Sequence, residues 1–288
     1  MKKNKVIKLN HFAEGSVPIK VVWMDQQNTQ DLHDHTFHEL VITLRGEGEH
    51  LTGNECYKIS AGDVFLLKPG TRHGYRNTFE LEIVNILYQP GRLKLPLFDL
   101  TDSPGYHAFF ELEPAMRIQH GFRSKLQVSK KHLVNLKELA ENLERECRSE
   151  SPGKLFRMAT ILMQLINLVS EYYSGGDPAN RAEVLRLGKV ISYIETHYEK
   201  NLKLDDLAKY AAMSPSTLHR AFISAIGESP INYLISVRLE RAKELLRSSS
   251  GSISEISLQT GFLDSNYFSR IFKKKIGKSP RAFRGQIL

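Results

Sequence analysis

An internal repeat in the C-terminal third constrains this 288-residue chain more than any other feature. Leu218-His-Arg-Ala-Phe-Ile-Ser-Ala-Ile-Gly-Glu-Ser-Pro230 aligns without a gap on Phe268-Ser-Arg-Ile-Phe-Lys-Lys-Lys-Ile-Gly-Lys-Ser-Pro280. At an offset of 50, Arg220/Arg270, Phe222/Phe272, Ile226/Ile276, Gly227/Gly277, Ser229/Ser279 and Pro230/Pro280 are identical. Upstream the offset is 49, pairing Leu204 with Ile253, Leu207 with Ile256, Ala212 with Gly261 and Met213 with Phe262, so the second copy has one extra residue in its turn. A duplicated unit of this size buries its apolar face only against neighbouring structure, which predicts an all-helical domain built from two similar halves.

Each copy reads as helix, turn, helix. Ser252 with Glu255 makes a capping box that opens a helix at Ile253, Gly261 can end it in a left-handed conformation, and Ser214-Pro215 and Asp264 are good starts for the helices that follow. On the second helix of copy one, Leu218, Phe222 and Ile226 share one face and belong to a core. Ser216, His219, Arg220 and Ile223 share the opposite face at helical spacing. In copy two Phe268, Phe272 and Ile276 are the core residues, and Asn266, Ser269, Arg270 and Lys273 form the free face. Short hydrogen-bonding side chains with one arginine suit a DNA major groove, where Arg grips guanine and Asn grips adenine in two places each. Lys273, Lys274 and Lys275 would neutralise phosphates alongside. The helix expected over Pro230–Leu246 would be about 25 Å long at 1.5 Å per residue. With its turns it could hold two reading helices about one DNA turn, ~34 Å, apart.

Charge points the same way. The net charge is +8, and residues 181–288 carry 18 basic and 10 acidic residues, while residues 1–180 carry 22 of each. The whole surplus lies in the repeat domain, which predicts an anionic partner for that half alone. A plain helical repeat with solvated arginines is the competing reading. Two copies with polar residues at matched positions weigh against it.

These residues resemble the AraC/XylS-type DNA-binding domain, most specifically through Gly261-Phe262-Leu-Asp264-Ser265-Asn-Tyr267-Phe268-Ser-Arg270-Ile-Phe272-Lys273 and the closing Gly277-Lys-Ser279-Pro280. The resemblance implies a bacterial transcription regulator with tandem helix-turn-helix units on promoter DNA. Ser216, His219 and Arg220 would be contacts of the first unit, and Asn266, Ser269 and Arg270 of the second. Where that turn often has Ser-Tyr, this chain has Ser265-Asn266-Tyr267.

The N-terminal half differs in kind. Short apolar runs (Leu40–Leu44, Tyr57–Ile59, Val64–Leu67, Leu81–Tyr88) between glycines predict a β barrel or sandwich. Residues 90–121 give no readable pattern. Leu133, Leu136, Ala140, Leu143 and Cys147 then make one apolar seam on a helix. After Ser151-Pro152-Gly153 a second helix, Leu155 to Tyr173, is apolar nearly all round, as for a helix packed on two sides. The expected divisions are a barrel over 1–128, a helical pair over 129–174, a linker over 175–182 and the repeat domain over 183–288, an α+β two-domain chain.

Nine of the eleven histidines lie between His11 and His132. His33-Asp-His35-Thr-Phe-His38-Glu39 followed by Gly46, then Gly62-x5-Lys68-Pro69-Gly70-x2-His73-x3-Asn77, resembles the two cupin motifs. The departures are Gln27 where glycine is expected and a proline at 69 instead of 68. Cupins are double-sheet β barrels, and in metal-dependent members the positions of His33, His35, Glu39 and His73 ligate the metal. Period-two spacing puts both imidazoles of one strand inside the barrel. The four residues are read here first as polar residues that bind a small ligand, with no cofactor required and a divalent metal as the alternative. Arg45, Trp23 and Tyr75 are candidate neighbours, and His38 and His50 are expected to face out. Such a pocket suits a polyhydroxylated effector. The stretches His33–His50 and Gln119-His-Gly-Phe-Arg123 resemble regulators of rhamnose use.

The expectation is therefore a promoter-binding regulator, an activator working with RNA polymerase, that responds to a monosaccharide such as rhamnose and dimerises through the helical pair. The rival reading is a metal-dependent cupin enzyme, of isomerase or dioxygenase type, with a nucleic-acid tether. No phosphate loop, nucleophile elbow or paired-carboxylate motif is present. The basic start MKKNKVIKLN is not read as a signal peptide. No apolar run is long enough to span a bilayer. Two cysteines without a CxxC pair fit the cytoplasm.

Overall fold

The computed structural model describes residues 7–9, 11–13, 15–53, 55–117, 121–175 and 181–285. The chain divides into two compact units, Met1–Gly188 and Lys189–Leu288. Residues 176–180 of the expected linker lie outside the described residues, and the division falls several residues further on, inside a helix.

The first unit is built on β1 (Ile7–Leu9), β2 (Ile19–Met24), β3 (Gln30–His35), β4 (His38–Thr52), β5 (Glu55–Ser60), β6 (Asp63–Leu67), β7 (His73–Tyr88) and β8 (Leu126–Gln127). The strands join in the order β1-β3-β7-β4-β6-β8, with β2 also on β7 and β5 also on β4. The double-sheet form comes from β4 and β7, each long enough to serve both layers. Thr52 to Glu49 pair with His73 to Arg76, and after register shifts Arg45 to His38 pair with Glu82 to Tyr88. Gly46 makes the bend: its φ is +73°, and a Cβ there would lie 2.1 Å from the Glu80 carbonyl oxygen. Asn77 and Glu80 also take positive φ. Such bulges fold a sheet over on itself. Tyr57, Ile59 and Tyr75 of one layer then meet Val41, Phe65, Leu67 and Ile83 of the other in one buried cluster.

The stretch without a readable pattern breaks into short turns: α1 (Pro90–Leu93), a 3-10 turn (Phe98–Asp102), α2 (Pro104–Tyr106), a π-helical turn (His107–Leu112) and α3 (Glu113–Met116). No single period runs long enough there to leave a signal. The segment is tied to the sheet by buried Arg117, 2.8 Å from the Glu113 carboxylate, donating to the Leu66 carbonyl at 2.6 Å.

The helical pair is α4 (Lys130–Arg148), capped by Ser129, and α5 (Lys154–Gly175). Leu136, Ala140 and Leu143 of the α4 seam are fully buried within this chain, where α4 packs on α5, β2 and β4. Of the two partners open to such a seam, a second copy or the rest of its own chain, these three residues meet the second. A seam pattern reports that a face is buried without saying against what.

α6 (Ala182–Thr196) runs through the division. The second unit continues with α7 (Leu204–Tyr210), α8 (Pro215–Ile226), α9 (Pro230–Ser248), α10 (Ile253–Gln259), α11 (Ser265–Ile276) and α12 (Pro280–Arg284). The duplication is carried into backbone detail. Ala212 N–H donates to Lys209 O and Met213 N–H to Ala208 O; 49 residues on, Gly261 N–H donates to Leu258 O and Phe262 N–H to Ser257 O. Both are Schellman turns, whose penultimate residue must be left-handed, and φ is +51° at Ala212 and +82° at Gly261. α8 starts with Ser214 accepting from Thr217 N–H, and α11 with Asp264 accepting from Asn266 N–H. Leu239, Ala242, Leu246, Ile256, Phe262, Phe268 and Phe272 form the core of the second repeat.

Candidate effector pocket and nucleic-acid interface

The barrel encloses a cavity of about 250 Å³ lined by His33, His35, Glu39 and His73 together with Gln27, Gln30, Tyr75 and Asn85. All four motif residues are buried. β3 contributes His33 and His35 two residues apart, and the register of β3 on β7 sets His33 against His73. Each of the three histidines has Nδ1 on a backbone carbonyl: His33 on Asp31 O at 3.1 Å, His35 on Phe37 O at 2.9 Å, His73 on Thr71 O at 3.0 Å. This arrangement puts the Nδ1 proton on the backbone and leaves Nε2 for the cavity. His35 Nε2 lies 2.8 Å and His73 Nε2 3.5 Å from a Glu39 carboxylate oxygen. Burial alone would raise the Glu39 pKa, but the two imidazoles outweigh it and hold it down at about 2. Burial, then the charge of His73, lowers His33.

The donor atoms of His35, Glu39 and His73 lie within 4.8 Å of one another. Two ligands of one metal at about 2.1 Å are separated by roughly 3 Å, and Nδ1 held by carbonyls is how metal-binding imidazoles are oriented. This donor set therefore fits a divalent cation. His33 lines the same cavity outside the three-residue cluster.

Several expectations are corrected by the strand alternation. His50 faces in, fully buried, with its ring 5.3 Å from that of Tyr75 and 5.9 Å from that of His73. His38, by contrast, points away from this cavity as expected, half-buried on the far side of β4 from Glu39. Arg45 is exposed and paired with Glu80 at 2.5 Å, away from the cavity. Trp23 faces away too, since its neighbours Val22 and Met24 line the cavity and Trp23 lines a groove beside Lys137 of α4. Gln27, at the position of the missing motif glycine, is a wall residue, and that departure was the one signal for it. Gln119 and His120 lie outside the described residues.

In the second unit Leu218, Phe222, Phe268 and Phe272 are fully buried. Ser216, His219 and Arg220 of α8 are exposed, as are Asn266, Arg270 and Lys273 of α11, and Ser269 is half-buried. Arg270 lies over the Tyr267 ring at 5.5 Å. Sequence reasoning passed over Arg238 of α9, which donates to the carbonyls of Tyr198 at 2.7 Å and Lys200 at 2.8 Å and lies over the Phe262 ring.

Residues 21–150 match the model of the AraC-like ligand binding domain, and residues 207–286 match that of a helix-turn-helix domain. The HTH-type transcriptional activator RhaS of Escherichia fergusonii is 31% identical over 282 residues, 97% of this chain and 96% of that protein. This chain belongs to the AraC family of transcriptional regulators. The HTH-type transcriptional activator RhaR of Mannheimia succiniciproducens is 28% identical over 98% of both chains. The regulator thus joins a DNA-binding helix-turn-helix unit to a ligand-binding barrel, and these relatives give no support to the enzyme alternative. Among the described residues no helix is long and apolar enough to cross a membrane.

Proposed function

We propose that this regulator is a cytoplasmic, homodimeric activator that binds promoter DNA through α8 and α11 and takes a monosaccharide, L-rhamnose foremost, in the histidine cavity. The observation that carries the DNA half is the pair of equivalent helices whose apolar faces are buried while polar residues at matched positions stay exposed. Ser216, His219, Arg220, Asn266, Ser269 and Arg270 are the contacts to bases or phosphates, and Lys273 neutralises a phosphate. α9, with 19 residues, is about 28 Å long at 1.5 Å per residue, a fit to successive major grooves.

The sugar reading is supported by the polar atoms of the cavity. Tyr75 Oη and Asn85 Oδ1 are buried without hydrogen-bond partners beside the Glu39 carboxylate and His35 Nε2. Buried polar groups are rarely left unpaired, and a ring with vicinal hydroxyls can satisfy a carboxylate and two imidazoles at once. No metal is required for this; a divalent ion on His35, Glu39 and His73, with His33 beside it, would supply a Lewis-acidic anchor for the same hydroxyls. A second copy would dock on the outer face of the helical pair, where Leu139, Met163 and Leu168 line an open groove. An activator of this kind bears on RNA polymerase at the promoter.

Isothermal titration of the full chain with L-rhamnose and other monosaccharides tests the effector, with Glu39→Gln as the control. Binding that Glu39→Gln weakens tenfold or more is expected, and a flat trace for every sugar removes the reading. Elemental analysis of protein made without metal-binding tags is expected to find no stoichiometric metal. Footprinting on the DNA flanking its gene tests the rest: two protected major grooves on one face of the duplex are expected.

A further inference from the structure

The alternation that turns Glu39 into the histidine cavity turns His38 to the opposite side of β4. There the register sets His38 against Tyr88 of β7. On the other flank Glu39 pairs with Leu67 of β6, which brings Lys68, the next residue, alongside. Lys68, His38 and Tyr88 line a second cavity of about 270 Å³, closed by Lys94, Phe110 and Ile166. It shares no wall residue with the histidine cavity.

Two of its polar groups, on Lys68 and His38, are short of partners. The half-buried Lys68 ammonium donates only a long 3.4 Å bond, to the Glu111 backbone carbonyl, and partial burial lowers its pKa. The charges of Glu111 and Glu113 act on Lys68 and offset part of that lowering, but its ammonium makes its hydrogen bond to a backbone carbonyl and not to either carboxylate. The one carboxylate in the wall, that of Glu111, is 3.3 Å from His107 Nδ1. His38 Nδ1 is buried with no hydrogen-bond partner. The Lys68 charge, partly removed from water, calls for an anion, the exposed Lys94 adds a second positive charge at the same cavity, and Leu66, Phe110 and Ile166 offer apolar surface beside them. We propose that this cavity is a separate binding site for a small organic anion, a monocarboxylate with a compact apolar body, its oxygens on Lys68 and Lys94.

The site also has a built wall. Phe110 and Glu111 sit on the π-helical turn His107–Leu112, a form that accompanies functional sites in helices. The same segment is packed hard against the rest of the unit. A Cβ on Gly105 would lie 2.1 Å from the Ser170 carbonyl of α5, and one on Gly188 of α6 would lie 2.4 Å from the Pro104 carbonyl. Whatever fills the cavity therefore presses on the segment that supports α6. The volume is at the small end for ligand pockets, about 300 Å³ and upward, which selects a compact acid.

Calorimetric titration of the full chain with benzoate and hexanoate, each against its neutral amide, tests the site. At least one anion is expected to bind, with its amide tenfold or more weaker. Lys68→Gln is expected to weaken the anion tenfold or more, and Leu97→Trp, which keeps both lysines and fills the cavity, to do the same. Glu39→Gln is expected to keep anion affinity, which separates this site from the sugar site and lets either stand if the other fails. The proposal is overturned if neither anion binds, if the amides bind as well, or if Glu39→Gln abolishes binding. Unchanged affinity in Lys68→Gln overturns it too. If Lys68→Gln does not fold, Leu97→Trp decides alone, and retained binding there overturns the site.

Discussion

The two helix-turn-helix repeats share a frame and differ in what they put on it. Phe222 and Phe272 are both fully buried at equivalent places, and the Schellman turns before α8 and α11 repeat bond for bond. On the free faces only the arginines, Arg220 and Arg270, are the same. α8 adds Ser216 and His219 and has no basic residue in its last turn, whereas α11 adds Asn266 and ends in Lys273, Lys274 and Lys275. Buried positions are held by packing, which punishes any change of volume. Exposed positions are free to diverge, so one scaffold carries two different recognition surfaces.

The largest expected effect would break the equivalence of the cores if it failed. Phe222→Ala and Phe272→Ala should each cost about 3–5 kcal/mol, and by similar amounts, as ring removal from a tight core does. Urea unfolding followed by circular dichroism measures both, and a difference of more than about twofold would show that the repeats are not packed alike.

Next come the surfaces. Arg220→Ala and Arg270→Ala should each weaken promoter binding by about 1–3 kcal/mol, roughly 10- to 100-fold, if each grips a base. Lys273→Ala should reduce the slope of log affinity against log salt by about one unit. Fluorescence anisotropy at several salt concentrations separates the two behaviours. Unchanged affinity in both arginine variants at moderate salt would refute the assignment of these contacts.

The turns supply a comparison of opposite sign. A Cβ at Gly261 would meet the carbonyls of Tyr198 at 2.7 Å and Glu199 at 2.8 Å, so Gly261→Ala should destabilise by about 2 kcal/mol through strain and the left-handed φ. Ala212 already holds that conformation, and Ala212→Gly should stabilise the unit by roughly 0.5 kcal/mol after the loss to unfolded-state entropy. Melting temperatures that move in opposite directions are the expected result.

The smallest effect sets the barrel against the repeats. Burial, aided by the charge of Lys68, lowers the His38 pKa to about 4, so between about pH 6.5 and 4 the unfolded chain takes up a proton that the folded barrel refuses. Stability from this source is complete above pH 6.5 and is lost as the pH falls through that window. Glu39, held at about 2, stays a carboxylate throughout the window. The single tryptophan, Trp23 on β2, reports barrel unfolding, and His38→Gln should flatten its pH dependence.

The repeat domain was legible because its information is local. Helical period, Ser252 with Glu255 as a capping box, Gly261 and Gly277 as helix ends, and the one-residue change of offset all act over a few residues, and the structure places the helices and turn where those signals stand. The left-handed Ala212 was readable only through its repeat partner Gly261, because alanine by itself gives no such sign. In the barrel the motif residues His33, His35, Glu39 and His73 were legible, and the structure brings them to one cavity. Their neighbours Gln30, Tyr75 and Asn85, and the inward turn of His50, were not.

What the sequence determined alone was what repeats or alternates: two helix-turn-helix copies, one positively charged half, and a pair of histidines on a shared strand face. Tertiary structure decided which element each face meets. It buried the Leu136–Leu143 seam of α4 on its own barrel, sent His38 and Glu39 into different cavities, and folded an unpatterned stretch into the wall of one of them. Backbone periodicity fixes the direction of a side chain relative to its own strand or helix. Only the bends at Gly46, Asn77 and Glu80 and the pairing of distant strands fix what lies in that direction.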